Sequence, residues 1–395
     1  MRKSPITEFE LKKLKIVLSA LEEYRSTGKI SDLDSIRKQI EGFLQLPVSD
    51  PLVADILIHP YVLESYANVI IQSIRLENLG GEFFPKTEYA LPLAEADSPT
   101  EAIRIRRFHS RDGRYYGIPF LADEGVYTFW NDEPIILTKI TKAWQDELWL
   151  QTEMGWLSRP EVKLLSALSF STPFVSGPRL CFQVSPRYYD VPTDVIVSES
   201  GKLDEVALKK AQILTRILDR IGSYDYLSWG FKSETVEIAP FQYLSEGISN
   251  ERTDKLFNSL GLQDDLALRT SFLLLKSAML WRYDGRIFGE DAMANMVFGL
   301  EGVLRLIHRR ISGGKNFEIK PTFEHIESKF SKKPGYGWML KFAYEQRVEL
   351  AHPDPRNQTS WLPSIYAEDY MQGYGMATDL FYYAITGDVL PDTKW

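Results

Sequence analysis

The sequence predicts an α+β N-terminal and middle region followed by an all-α C-terminal helical bundle. Three observations carry this. The apolar residues of roughly the first 80 positions recur at helical spacing. The pattern then changes to short runs of period two, rich in β-branched and aromatic residues, mixed with helical segments up to about residue 250. From there to Gly387 the spacing is nearly all helical. The expected divisions are therefore 1–80, 82–250 and 251–395, and a chain of 395 residues has the length for more than one core.

In the first region Thr7 and Glu10 have capping-box spacing, and Leu11, Leu14, Val17, Leu18 and Leu21 share one face up to Gly28. Ser31 opens a second helix with Leu33, Ile36, Ile40 and Leu44, stopped by Pro47. A third runs from Pro51, is interrupted at Pro60 and closes at Gly80-Gly81.

In the middle region "AIRIRRF", "RYYGIPFL", "GVYTFWN" and "PIILTKI" read as strands, and Asp112-Gly113 and Glu124-Gly125 between them predict a meander of hairpins. "TKAWQDELWLQTEM" and "PEVKLLSALSF" return to helical spacing. "RLCFQV", "DVIVSE", "YLSWGF" and "TVEIAPF" read as strands, with an amphipathic helix, "LDEVALKKAQILTRILDRIG", among them. The C-terminal region holds five helical segments, over 264–285, 290–314, 321–330, 335–353 and 363–387.

Composition narrows the function classes. The net charge of −8 argues against a whole-protein electrostatic grip on nucleic acid and leaves room for a local basic patch. One cysteine, Cys181, excludes an internal disulfide framework and a Cys-based zinc site. The five histidines are scattered without an HExxH, so no metal and no cofactor is expected. There is no glycine-rich phosphate loop and no G-x-S-x-G element. No apolar stretch is long enough to span a membrane and the start lacks a secretory signal, so a cytoplasmic protein is expected.

The most specific stretch is "YEQRVELAHPDP", from Tyr344 to Pro355. Residues five apart on a helix point about 140° away from each other. Arg347 and His352 would not share a face on an unbroken helix, but Pro353 disfavours helical backbone at His352 and lets the imidazole turn toward the arginine side. Leu340, Tyr344, Arg347 and Ala351 follow 4-3-4 spacing, so Arg347 lies on the protein-facing stripe, where a guanidinium needs a partner or a wet groove.

With this arginine and histidine on the fourth of five helices, residues 255–390 resemble a HEPN domain, a helical module found in many RNases and toxins. The resemblance rests on the Arg-x4-His pair Arg347 and His352, on "AMANMVFGLEGVLRLIHRR" with Glu301 at its middle, and on the closing "FYYAIT" helix. Val348 follows the arginine, where the family usually carries a polar residue. The resemblance implies metal-independent RNA cleavage. His352 would move protons at the ribose 2′-OH and the leaving oxygen, and Arg347 would hold the scissile phosphate. Glu301, Tyr344 and Glu345 are candidate supporting residues. It also implies a homodimer with the groove at its two-fold interface, an RNA substrate, and an antitoxin or host-defence partner. The alternative is a catalytically silent helical module for dimerisation or partner binding. There, Arg347 bonds Glu301 or another carboxylate and His352 caps its helix.

Two further stretches are basic. "IRIRRFHSRDGRYY" carries Arg104, Arg106, Arg107, His109, Arg111 and Arg114 beside two tyrosines. It reads as an RNA- or phosphate-binding hairpin, or as the solvated face of an edge strand in which Ile103 and Ile105 alternate with Arg104 and Arg106. "RLIHRRISGGK" places Arg305, His308, Arg309, Arg310 and Lys315 at a helix C-terminus, where the helix dipole favours cations and an RNA path is the alternative. His59 and His325 read as structural.

Overall fold

The computed structural model describes residues 8–32, 35–36, 38, 55–56, 59–65, 67, 101–110, 120–122, 126–129, 135–141, 157–171, 182–197, 205–222, 250–285, 287–314, 316–331, 336–337, 340–341 and 367–391. It is mostly helical with a small antiparallel sheet, in keeping with the α+β reading and its C-terminal helices. The chain folds into two compact units. One takes residues 1–106, 127–143 and 187–238, and the other residues 107–126, 144–186 and 239–395.

In the first unit, α1 (Glu8–Thr27) ends where the sequence placed its stop, with the Gly28 amide donating to the Tyr24 carbonyl. Val17, Ala20 and Leu21 are buried, the i, i+3, i+4 stripe of an amphipathic helix. Strands β1 (Glu101–Ser110), β3 (Val126–Phe129), β4 (Ile135–Thr141) and β5 (Phe182–Pro192) lie side by side in the order β3-β4-β1-β5. Strand β2 (Phe120–Ala122) has only three residues. The short helix α3 (Thr193–Ile196) follows β5 directly, and α4 (Glu205–Gly222) closes the unit with Ala207, Ala211, Leu214 and Leu218 buried at 4-3-4 spacing.

These elements bury one continuous core: the α1 stripe, Val62 and Leu63, Ile103 and Ile105 of β1, Leu137, Val191, Val195, Ile196 and the α4 stripe. Each fully buried aliphatic side chain contributes about 1.5–3 kcal/mol relative to exposure.

Two expectations are corrected here. A simple meander would put β1 beside β2, but β1 lies between β4 and β5. Local hairpin signals cannot show which strand pairs with the far side of β1. "DVIVSE" was expected as a strand, yet Thr193–Ile196 is helical, with the Val197 amide bonded to the Thr193 carbonyl. Short apolar runs do not separate strand from helix by periodicity, and Pro192 suits the start of a helical turn. Strand β5 also runs on through Pro192, which its place at the sheet edge tolerates.

The described residues of the second unit are helical apart from β2 and the ends of β1, β3 and β5. It contains α2 (Arg159–Phe170), α5 (Asn250–Ser259), α6 (Asp265–Asp284), α7 (Gly289–Ser312), α8 (Ile319–Lys329) and α9 (Ala367–Thr386). Helix α2, from the middle of the chain, clusters with this unit. Residues 160–167 are buried on every face, which one neighbour cannot achieve, and α2 packs on both α5 and α6.

Helices α6 and α7 form the most extensive helix pair. They approach closely because α7 presents glycines to α6. A Cβ at Gly299 would stand 2.6 Å from Leu274 Cδ2, and one at Gly302 would overlap Thr270 Oγ1. Helix α9 packs on α5, α6 and α7 and is buried around its whole circumference from residue 373 to 384, the signature of a central helix. Ser277 and Tyr370 are polar side chains of this core that satisfy each other. Ser277 Oγ donates to the Ala292 carbonyl at 2.7 Å and shares a 2.9 Å hydrogen bond with Tyr370 Oη. The Tyr370 ring stacks on Trp281 at 4.0 Å.

The expected helices at 31–47, 51–81, 141–154 and 335–353 and the strands at 226–231 and 235–241 lie largely or wholly outside the described residues.

Candidate functional site

Of the candidates, Arg347 and His352 lie outside the described residues, as do Tyr344, Glu345, Arg111, Arg114 and Lys315, and so do the side chains of Arg107 and His109. The others sort clearly.

Arg104 and Arg106 are each 1% exposed on a strand with neighbours on both sides. For these two residues both readings are corrected, since neither side chain faces solvent. Arg104 Nε and Nη2 donate to the two carboxylate oxygens of Asp190 at 2.7 and 2.8 Å, a bidentate pair between β1 and β5. The Asp190 carbonyl accepts from Tyr61 Oη at 3.2 Å. Burial, with the Asp190 charge adding to it, pushes the Tyr61 phenol up to about 12.

His59 is a local brace. Its Nδ1 accepts from the Tyr61 amide at 3.3 Å, which leaves Nε2 to carry the proton toward Asp194 at 3.6 Å. Burial lowers its pKa below the usual value, although Asp194 works in the opposite direction.

At the C-terminal end of α7, four candidates have four different surroundings. Arg305 donates to Glu301 Oε1 one turn earlier, at 2.8 and 3.3 Å, and its guanidinium lies 5.0 Å from the Phe317 ring centre. Arg309 is tied to both carboxylate oxygens of Asp264. Asp264 is also the N-cap of α6, accepting from the Ala267 amide at 3.1 Å. Burial alone would raise the Asp264 carboxyl, but the hydrogen bonds from Arg309 and Ala267 and the Arg309 charge hold it below the usual range.

His308 is only 4% exposed, which removes it from any RNA path. Thr322 Oγ1 donates to the Glu318 carbonyl at 2.7 Å, so its hydrogen is committed. The 3.1 Å contact with His308 must then be Nδ1–H donating to Thr322. His308 Nε2 is left as an acceptor with no hydrogen-bond partner.

Arg310 is the exception. It is exposed and reaches the α9 carbonyls of Ala384 and Ile385 only at 3.4 and 3.5 Å, with its guanidinium 6.0 Å from the Tyr383 ring centre. Across from it, His325 Nε2 and Tyr383 Oη share a 2.7 Å hydrogen bond. Burial lowers the His325 pKa, and the charges of Lys329 and then Arg310 lower it further. Burial raises the Tyr383 phenol, while Arg310 opposes that. Phe330 packs edge-on to Tyr383 at 5.5 Å and stacks with Tyr336, whose hydroxyl donates to Asp379 at 2.8 Å.

The sequence reading passed over His325 as a lone histidine. The signal available was its i, i+4 relation to Lys329 on α8; the Arg310 and Tyr383 neighbours come from distant helices. Among the described residues no group of three or more His, Cys, Asp or Glu is arranged to hold a metal ion, and no helix is long and apolar enough to cross a membrane. No family model matches the chain, and no curated protein or solved structure is found to be similar to it.

Proposed function

We propose that the protein is a cytoplasmic, metal-independent endoribonuclease of HEPN type that acts as a homodimer in a toxin or host-defence setting. The observation that carries this reading is the Arg347-x4-His352 pair ahead of Pro353, in the segment between α8 and α9, in a part of the chain whose described residues are helical. The long α6–α7 pair and the central α9 support it as the scaffold such a motif requires.

In the proposed reaction the ribose 2′-oxygen attacks phosphorus and the bond to the 5′-oxygen breaks. His352 takes the 2′-OH proton as base, or as imidazolium supplies a proton to the departing 5′-oxygen, and the second copy's histidine takes the complementary role. Arg347 balances the charge on the phosphoryl oxygens with two parallel donors. His352→Ala and Arg347→Ala are each expected to lower the cleavage rate by at least about 100-fold with an unchanged circular-dichroism spectrum. Cleavage at the parental rate by either variant would sink the mechanism.

One observation favours the silent helical module instead. Three of the four basic candidates on α7 serve local structure: Arg305 with Glu301, Arg309 with Asp264, and His308 in the interior. No cleavage of any RNA, alongside stable association with a protein partner through α5–α9, would establish that reading.

A further inference from the structure

Several basic side chains of the helical unit are matched by carboxylates. Arg159, Lys255, Arg305, Arg309 and Lys320 each pair with a carboxylate, those of Asp265, Asp388, Glu301, Asp264 and Glu324 respectively. Arg310 and Lys329 make no ion pair with any described residue, and both act electrostatically on one histidine, His325. Two cationic side chains without an ion pair therefore converge on one histidine, on a chain whose net charge is −8.

The groups are held in place. Gly387 ends α9 with a φ of 84°, its amide donating to the Tyr383 carbonyl at 2.8 Å. Arg310 Nη2 occupies the space a Cβ at Gly387 would need, so the missing side chain is what lets the guanidinium lie against the end of α9. Its contacts there are long and use Nη1 alone, which leaves most of its five donors uncommitted. His325 is fixed through Nε2 to Tyr383, and Lys329 stands one turn along the same helix. A guanidinium fork, an ammonium, an imidazole and a phenol are together suited to the oxygens of a phosphate group.

We propose that Arg310, His325, Lys329 and the Tyr383 hydroxyl form an anion site that takes one phosphate of a single-stranded RNA backbone. The identity of the carrier rests on the ribonuclease reading; the site's affinity for phosphate rests on the two cations without an ion pair. In this arrangement the site docks RNA on the helical unit and takes no part in bond cleavage.

The test uses the full chain carrying His352→Ala, so that binding is read without cleavage, and measures fluorescence anisotropy of a short labelled single-stranded RNA across a salt series. Lys329→Gln is expected to weaken binding roughly three- to tenfold at low salt and to flatten the log–log salt dependence by about 0.7, the value for one lost phosphate contact on a single strand. Arg310→Gln should do the same. Lys329 is exposed, so its variant decides the matter if the arginine variant fails to fold. Lys320→Gln is the control, since it removes an equal charge from the same helix but from an ion pair. It should change affinity by less than about twofold.

Equal effects of Lys329→Gln and Lys320→Gln, or no effect of either, overturn the site. Displacement of the His325 NMR resonances by inorganic phosphate or adenosine monophosphate, with RNA affinity unaltered by Lys329→Gln, overturns the RNA assignment in favour of a free phosphate ligand. If the chain with His352 intact cleaves RNA while Lys329→Gln binds normally, this site falls and the nuclease stands. RNA binding that depends on Lys329, with no cleavage by that chain, has the opposite meaning.

Discussion

The two arginine-rich stretches, β1 and the end of α7, look alike in sequence and meet opposite fates in the fold. On β1 the charge is taken inside, where Arg104 is 1% exposed and forks onto Asp190, 86 residues later in the chain. On α7 the charge stays near the surface, where Arg305 and Arg309 are about half exposed and pair with Glu301 and Asp264. A cluster of arginines therefore says nothing by itself about a ligand. What matters is whether a carboxylate is already present, and Arg310 and Lys329 make no ion pair with any described residue.

The sharpest way to break this comparison is Asp190→Ala. It leaves a buried guanidinium without its carboxylate and is expected to cost about 3 kcal/mol, at the low end for a buried pair because Asp190 is itself 26% exposed. A chemical-denaturation curve of the first unit should register it. Next in size is Gly302→Ala in the α6–α7 contact, where the added methyl meets Thr270. It should destabilise by about 1–3 kcal/mol, and Thr270→Ala in the same chain should recover part of that loss.

Asp264→Ala removes both a helix cap and the Arg309 partner and should cost about 1 kcal/mol. Its pH signature is distinctive. The folded carboxyl titrates below its unfolded value, so its stabilisation is present above about pH 4 and is lost as pH falls through the folded value. The melting-temperature gap between the parent and Asp264→Asn should narrow on acidification through that window and stay constant at higher pH. The smallest effect is expected at Arg305→Gln, below about 0.5 kcal/mol, as for other exposed i, i+4 pairs. A loss at Arg305 as large as that at Asp190 would erase the distinction between the two stretches.

The sequence made the helical framework legible because its signals are local. The α4 stripe, the Gly28 stop and the α6 and α7 boundaries follow from periodicity and end residues a few positions apart. Strand neighbours and charge partners were not legible. Arg104 finds Asp190, β1 finds β4 and β5, and α2 finds α5 and α6 across long separations that no local pattern records. The period-two alternation of isoleucine and arginine in β1 predicted one wet face, but residues 102–106 are buried on both faces, with Asp190 satisfying the Arg104 charge. Within the candidate site, the i, i+4 spacing of His325 and Lys329 was visible, while Tyr383 and Arg310 join them only through the packing of α7, α8 and α9.

The most direct test of the central claim compares a labelled single-stranded RNA with the same strand bearing 2′-O-methyl groups throughout, each incubated with the protein in EDTA. The account predicts that the RNA is cut and the methylated strand is not, because the attacking nucleophile is the 2′-oxygen and no metal ion is required. RNA left intact in EDTA, or cleavage of both strands, would contradict it.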